Sequence, residues 1–201
     1  VNLDFYTTAK AVFAQSKLNA QVIKKNIRGA NVINIGCSLW SDEELEILQK
    51  YVNSTKNNSM AVLNSSNRIK GSYEAKKFCE DNNLEYSLIG SQNYEEFIIS
   101  LSQHEGLVFF SQVLETFCRL AVEARILNCK LKTNNNLGCA SEEWFSKYKG
   151  KELLDFVKSK KSVIIDKVIE TLESKKKQPS KEEPITVILN AYRRTYNLKM
   201  Q

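Results

Sequence analysis

Proline and glycine are scarce in this chain of 201 residues, which holds two of the first and seven of the second. A β-sandwich or barrel spends more of both on its turns, so the scarcity favours helices joined to buried strands. Histidine occurs once, as His104. Any Ser-His-Asp mechanism would have to run through that residue, which directly precedes an apolar strand and reads as a structural loop residue. The cysteines are odd in number (Cys37, Cys79, Cys118, Cys129 and Cys139), and no two have C-x-x-C spacing. Without paired cysteines or further histidines a metal site is not expected. Free buried thiols in a reducing cytoplasm are the expectation instead. No apolar run approaches about 18 residues, which excludes a membrane-spanning helix. No basic segment followed by an apolar one marks a signal peptide. The missing initial methionine is read as a chain that begins inside a longer one or after processing.

What is present is an ordinary globular composition, 42% hydrophobic and 26% charged. It excludes a disordered chain, a collagen-like repeat and a disulfide miniprotein. Lysine and arginine outnumber the acids by 29 to 23, for a net charge of +6 and a pI near 9.0. A basic balance favours an anionic partner: nucleic acid, a membrane surface or a phosphorylated ligand. Much of the excess is lysine between Lys147 and Lys181, where it reads as a solvated helix face plus a linker. No interleaving of aromatic and basic residues suggests a nucleic-acid module, so nucleic acid is not an expected partner.

Along the chain, strands and helices alternate. Strands are expected at Ala11–Gln15, Asn31–Ile35, Met60–Leu63, Glu85–Ile89, Leu107–Phe110 and Cys129–Thr133. Helices are expected at Lys17–Ile27, from Ser41 onward, and at Ser72–Asn82, Tyr94–Leu101, Glu115–Leu127 and Lys151–Ser174. Ser41 and Glu44 have the spacing of a capping box. Ile164, Ile165, Val168, Ile169 and Leu172 form an apolar stripe on the last helix. This alternation predicts an α/β fold with a doubly wound parallel sheet, whose ligands bind at the carboxyl ends of the strands. Residues 174–184 are charged, hold both prolines and read as a linker. A short strand, Ile185–Leu189, follows with nothing after it to pack on.

Three segments could carry chemistry. Arg68, Lys70 and Gly71 lie between a strand and a helix, where a cation, a permissive glycine and free helix amides suit a phosphate. The spaced glycines of a P-loop are missing, and a surface turn would look similar. Glu115 and Glu123 stand eight residues apart on one expected helix, so both would lie on roughly one face. Glu115 could equally be an acidic first turn that complements the helix dipole. Gly138 closes a polar loop, Asn134–Leu137, after the next strand, and Glu142 and Glu143 follow it.

Taken in order, these segments resemble the donor-binding C-terminal domain of family 4 glycosyltransferases of the GT-B fold. The stretch from Leu107 to Gly138 matches best: an apolar strand, a serine, then a helix written Glu-x-Phe-Gly-x-x-x-x-Glu-Ala in the family. The resemblance spans about residues 10 to 172. It implies a Rossmann-like sheet and a nucleotide-sugar donor, whose hexose is transferred with retention to a glycan or lipid-linked acceptor. It implies no bound metal or other cofactor. Lys70 would meet the donor pyrophosphate and Glu115 the donor sugar. The amides around Phe117 and Cys118 would meet the diphosphate, and Glu123 the ribose hydroxyls. The sequence departs from the family at Ser65, where an arginine is usual, and at Cys118, where a glycine is. Arg68 is the nearest arginine to take over a phosphate contact.

By the same resemblance, residues 1–40 are the last β-α-β unit of an otherwise missing N-terminal GT-B domain and its connection, and 41–173 the donor domain. The tail, 185–201, resembles the opening strand of a family 2 glycosyltransferase of the GT-A fold, with Tyr192 and Arg193 near a nucleotide. A strand that caps the first sheet is the other reading of that tail. A cytoplasmic setting is expected from the free thiols; enzymes of this family often work beside membranes, but the sequence shows a basic helix and no amphipathic anchor, so membrane association stays open. Two alternatives to a transferase remain: a non-catalytic module of the same fold with a degraded site, and a basic nucleic-acid binder.

Overall fold

A computed structural model describes residues 3–91 and 93–174, together with the backbone of 187–189. It is an α/β structure with two parallel sheets. The chain opens with a short helix, α1 (Leu3–Thr8), that the sequence pattern did not suggest. Strand β1 (Ala11–Ala14), helix α2 (Lys17–Asn26) and strand β2 (Val32–Asn34) form a β-α-β unit. β1 lies at the centre of the first sheet, with β2 on one side and β7 (Val187–Leu189) on the other. Its four residues are all buried, the pattern of a central strand covered on both faces. The strand expected to stand alone in the tail therefore does not: Val187–Leu189 runs parallel to Ala11–Phe13 as an outer strand of this sheet. The linker and the remaining tail, including Tyr192 and Arg193, lie outside the described residues.

The second sheet contains β3 (Met60–Leu63), β4 (Tyr86–Ile89), β5 (Gly106–Phe109) and β6 (Lys130–Thr133), in the order β4-β3-β5-β6. The chain leaves β3 toward one edge and returns to pair β5 on its other side. The crossing beside β3 is therefore where a ligand cleft opens in such a sheet. Neighbouring residues on the central strands face opposite ways. Ala61, Leu107 and Phe109 pack into the main core, while Val62 and Val108 pack with Ala75 and Cys79 of α4 (Ser72–Asp81). The main core is closed by α3 (Asp42–Tyr51), α5 (Tyr94–Ser102), α6 (Arg119–Ile126), the short α7 (Glu143–Lys147) and α8 (Gly150–Glu173). The edge strand β6 exposes Lys130 and Lys132, a charge pattern that discourages further pairing.

Local sequence accounts for several boundaries. Ser41 and Glu44 make the expected reciprocal cap on α3. Ser16 caps α2 through the Asn19 amide. On α8 the apolar stripe is only partly used. Ile164 is buried, but Ile165 and Ile169 are 42% and 45% exposed.

Gly71 sets the spacing between the loops that follow β3 and β5. It has φ +65, and a Cβ there would sit 1.8 Å from the Phe110 carbonyl oxygen. We expect Gly71→Ala to destabilise the fold by about 2–4 kcal/mol, from left-handed strain and overpacking together. A urea unfolding midpoint that stays at the wild-type value would show that the loops can separate freely.

Candidate functional site

The carboxyl ends of β3, β4 and β5 open into a cavity of about 790 Å³. From the second sheet it is lined by Asn64 and Ser65 after β3, Gly90 and Ser91 after β4, and the segment Glu115–Leu120 after β5. The first sheet contributes Gln15, just past β1, and Ser38, from the loop after β2. A shallower hollow at the amino ends of β3 and β4, lined by Asn57, Tyr86 and neighbours, contains none of the expected chemistry.

Lys70 and Glu115 meet at this cavity. Lys70 lies on a 3-10 turn, Arg68–Lys70, just before α4. Its ammonium is 2.8 Å from Glu115 Oε1, with the two side chains 21% and 12% exposed. Their shielding from water makes the pair stronger than a surface bridge. The Ser111 hydroxyl lies 3.5 Å from the same carboxylate oxygen.

The expected common helix for Glu115 and Glu123 does not exist. Helix α6 begins only at Arg119. Glu115 instead pairs with Leu137 as an isolated parallel bridge. Its amide donates to Asn136 O at 2.8 Å, and the Gly138 amide donates to its carbonyl at 3.0 Å. These bonds hold the chain out of the helix up to Cys118, which turns into α6 with φ +78. The two carboxylates therefore reach one cavity by different routes, Glu115 from a loop and Glu123 from a helix.

Glu123 is 1% exposed. Its Oε1 accepts hydrogen bonds of 3.1 Å from Trp40 Nε1 and the Tyr94 hydroxyl, and Arg119 Nε lies at 3.5 Å. Arg119 continues to Glu44, donating to Oε1 at 2.6 Å, and its guanidinium sits 4.8 Å from the centre of the Trp40 ring. Burial lowers the pKa of Arg119, but the carboxylates of Glu123 and Glu44 outweigh it and hold the guanidinium above its usual range. Burial, then Glu123, pushes the Tyr94 phenol far up, so it stays a donor. Glu44, Arg119, Trp40 and Tyr94 were not singled out in the sequence as site residues. Arg119 lay inside the matched motif, and Glu44 was visible only as a capping residue.

Other expected site residues fall elsewhere. Arg68 is exposed and is not part of the cavity wall, nor are Gly71 and Gly138. Both glycines serve close backbone approach within the protein rather than toward a ligand. Gly71 faces Phe110, and a Cβ on Gly138 would sit 2.2 Å from the Thr116 carbonyl oxygen. Phe117 and Cys118 do line the cavity. His104 is buried, with Nδ1 2.7 Å from the Ser100 carbonyl. Among the described residues no group of His, Cys, Asp and Glu is placed to hold a metal ion. No helix among them is long and apolar enough to cross a membrane.

A scan of protein-family models and searches of curated proteins and solved structures each returned no match to this chain.

Removing one hydroxyl from the buried carboxylate tests the network. Tyr94→Phe is expected to destabilise the fold by about 1–3 kcal/mol, because the buried Glu123 carboxyl group loses a donor. Chemical denaturation of the variant at neutral pH measures this, and an unchanged free energy would mean that Tyr94 contributes no net hydrogen bond.

The five free cysteines, all buried, give a second test. Burial pushes the Cys37 and Cys118 thiols up to about 12. Unfolded thiols ionise near about 8.5. Below that pH both states keep the proton. Above it the unfolded state loses protons first, so stability falls as pH rises toward about 12. A denaturation midpoint that drops between about pH 8.5 and 10.5, with negligible thiol labelling of the folded protein at pH 8, is the expected result.

Proposed function

We propose that this chain is the donor-binding part of a GT-B glycosyltransferase, with a Rossmann-like second sheet that holds a nucleotide sugar. One observation carries the reading. Lys70, Glu115 and the amino end of α6 converge on one cavity at the carboxyl ends of β3 and β5. That place suits an anionic, sugar-bearing ligand, because cation, carboxylate and helix amides can each take a different part of it. Cys118 adds support. Its φ of +78 lies in the region that favours glycine, and the matched family motif has glycine at this position.

In this reading Lys70 and the α6 amides hold the diphosphate, which competes with the Glu115 carboxylate for the ammonium because it carries more charge. Its arrival releases Glu115 to face the sugar. Glu123 takes the ribose hydroxyls from the cavity floor, fixed in place by Arg119, Trp40 and Tyr94. The bond from the anomeric carbon to the phosphate oxygen breaks, and a bond to the acceptor oxygen forms. The diphosphate leaves with the electron pair and the acceptor's proton, its charge balanced by Lys70. The acceptor is a glycan or a lipid-linked glycan, and the setting is cytoplasmic, beside a membrane.

A second reading, a non-catalytic module that keeps the fold, has its own observation. Both cations of the cavity are already paired, Lys70 with Glu115 and Arg119 with Glu44 and Glu123.

Calorimetric titration with UDP, GDP and ADP separates the two. The transferase reading expects one of them to bind. Lys70→Ala is expected to weaken that binding about tenfold or more through loss of a charge-assisted contact, and Glu123→Ala to weaken it through the ribose. Binding of none at millimolar concentration would rule out a working donor site in this chain and favour the module.

A further inference from the structure

The first sheet also places two polar side chains in the cavity. Gln15 and Ser38 are 7% and 6% exposed, yet both belong to the cavity wall. Gln15 Nε2 donates to Ser38 Oγ at 3.1 Å. Among the described residues this is the only side-chain hydrogen bond of either group. The amide oxygen of Gln15 and the hydroxyl hydrogen of Ser38 therefore remain unspent. Turning the amide over would exchange which group donates, but the pair would still hold one donor and one acceptor for a ligand. Among the described residues neither group is one of the sealed-off polar atoms that lack a partner; both open on the cavity, where a ligand group can take the place of water. A matched donor and acceptor side by side complement a hydroxyl group, which itself both gives and takes a hydrogen bond.

Their position is fixed by the neighbouring residue. The Ser16 hydroxyl donates to the Thr116 carbonyl at 2.7 Å. Gln15 precedes Ser16 in the chain and Glu115 precedes Thr116, so this bond ties the Gln15 strand end to the Glu115 loop. The pair is rigid for the same reason, since Gln15 follows the fully buried β1.

We propose that Gln15 and Ser38 form a hydroxyl-binding subsite that recognises the sugar of the cavity's ligand. The proposal rests on the transferase reading for the identity of that sugar as the donor hexose. It does not rest on that reading for the chemistry of the subsite. The first β-α-β unit then completes the donor site.

The test is calorimetric titration of the full chain with UDP, GDP and ADP and with UDP-glucose, GDP-mannose and ADP-glucose. It compares wild type, Gln15→Met and Ser38→Ala, each with a melting temperature to show that it is folded. The expected result is a loss of about tenfold in affinity for the sugar nucleotide in both variants, with affinity for the bare diphosphate unchanged. Equal losses for both ligands, or no loss, would overturn the proposal. If wild type binds no nucleotide at all, the transferase reading fails, and saturation-transfer NMR with free glucose, mannose and galactose decides the subsite separately. A hexose signal that disappears in Gln15→Met upholds it, whereas no signal, or one that persists in the variant, overturns it. If either variant melts far below wild type, Gln15→Asn replaces it in both measurements. That variant keeps the amide but shortens its reach, and wild-type selectivity in it would likewise overturn the proposal.

Discussion

The carboxylate of Glu123, 1% exposed, has to be neutralised where it stands, because a charge at that depth without partners costs several kcal/mol. The partners come from three different places: Trp40 from the segment before α3, Tyr94 from the first turn of α5, and Arg119 from α6 itself. Arg119 then reaches Glu44 on α3. One buried charge thus fixes the relative positions of α3, α5 and α6 around the cavity. Glu44 serves two purposes at once, since one of its oxygens closes the capping box with the Ser41 amide and the other receives Arg119. Breaking such a network on one side leaves the other charge stranded, which is why these positions tolerate change poorly.

A second constraint joins the two sheets. The amino end of α2 has amides with no partner inside the helix. Asn19 N–H is met by Ser16 within the same unit. The Lys17 and Leu18 amides are met by Glu142 and Ser141 from the loop after β6. A carboxylate at that end is also favoured by the helix dipole. Trp144 Nε1 donates back to the Gly36 carbonyl at 2.9 Å, and the Lys10 ammonium donates to the Leu172 and Ser174 carbonyls at the end of α8. The first unit is therefore built into the second at several places, and its strand ends can form a stable wall of the cavity.

Much of the element order was legible because buried parallel strands and amphipathic helices leave strong local patterns. Met60–Leu63 needed only four apolar-biased residues bounded by polar runs, and Ser41–Glu44 announced α3 through capping chemistry. The start of α6 was not legible. Residues 115–118 have ordinary helical propensity, and what keeps them out of the helix is the bridge from Glu115 to Leu137, more than twenty positions away in the chain. Gly71 and Gly138 looked like ligand-facing glycines, since a sequence shows that a glycine permits close approach but not what approaches. Lys70, Glu115 and Glu123 could be picked out as chemistry-bearing residues. Gln15, Ser38, Glu44 and Arg119 could not, because each sits in a segment whose local pattern is explained by secondary structure alone.

The amino-acid sequence by itself determined the α/β class, the order of strands and helices, and the presence of cations and carboxylates near strand ends. Those properties depend on periodicity and residue type over a few neighbouring positions. Only the tertiary structure decided that the chain forms two sheets, that Glu115 sits on a loop while Glu123 lies on a helix, and that both share a cavity with Gln15 from just past β1 and Ser38 from the loop after β2. Such relations are set by long-range pairing and by the need to neutralise charges and satisfy amides once they are buried, and no local pattern encodes which distant partner will do so.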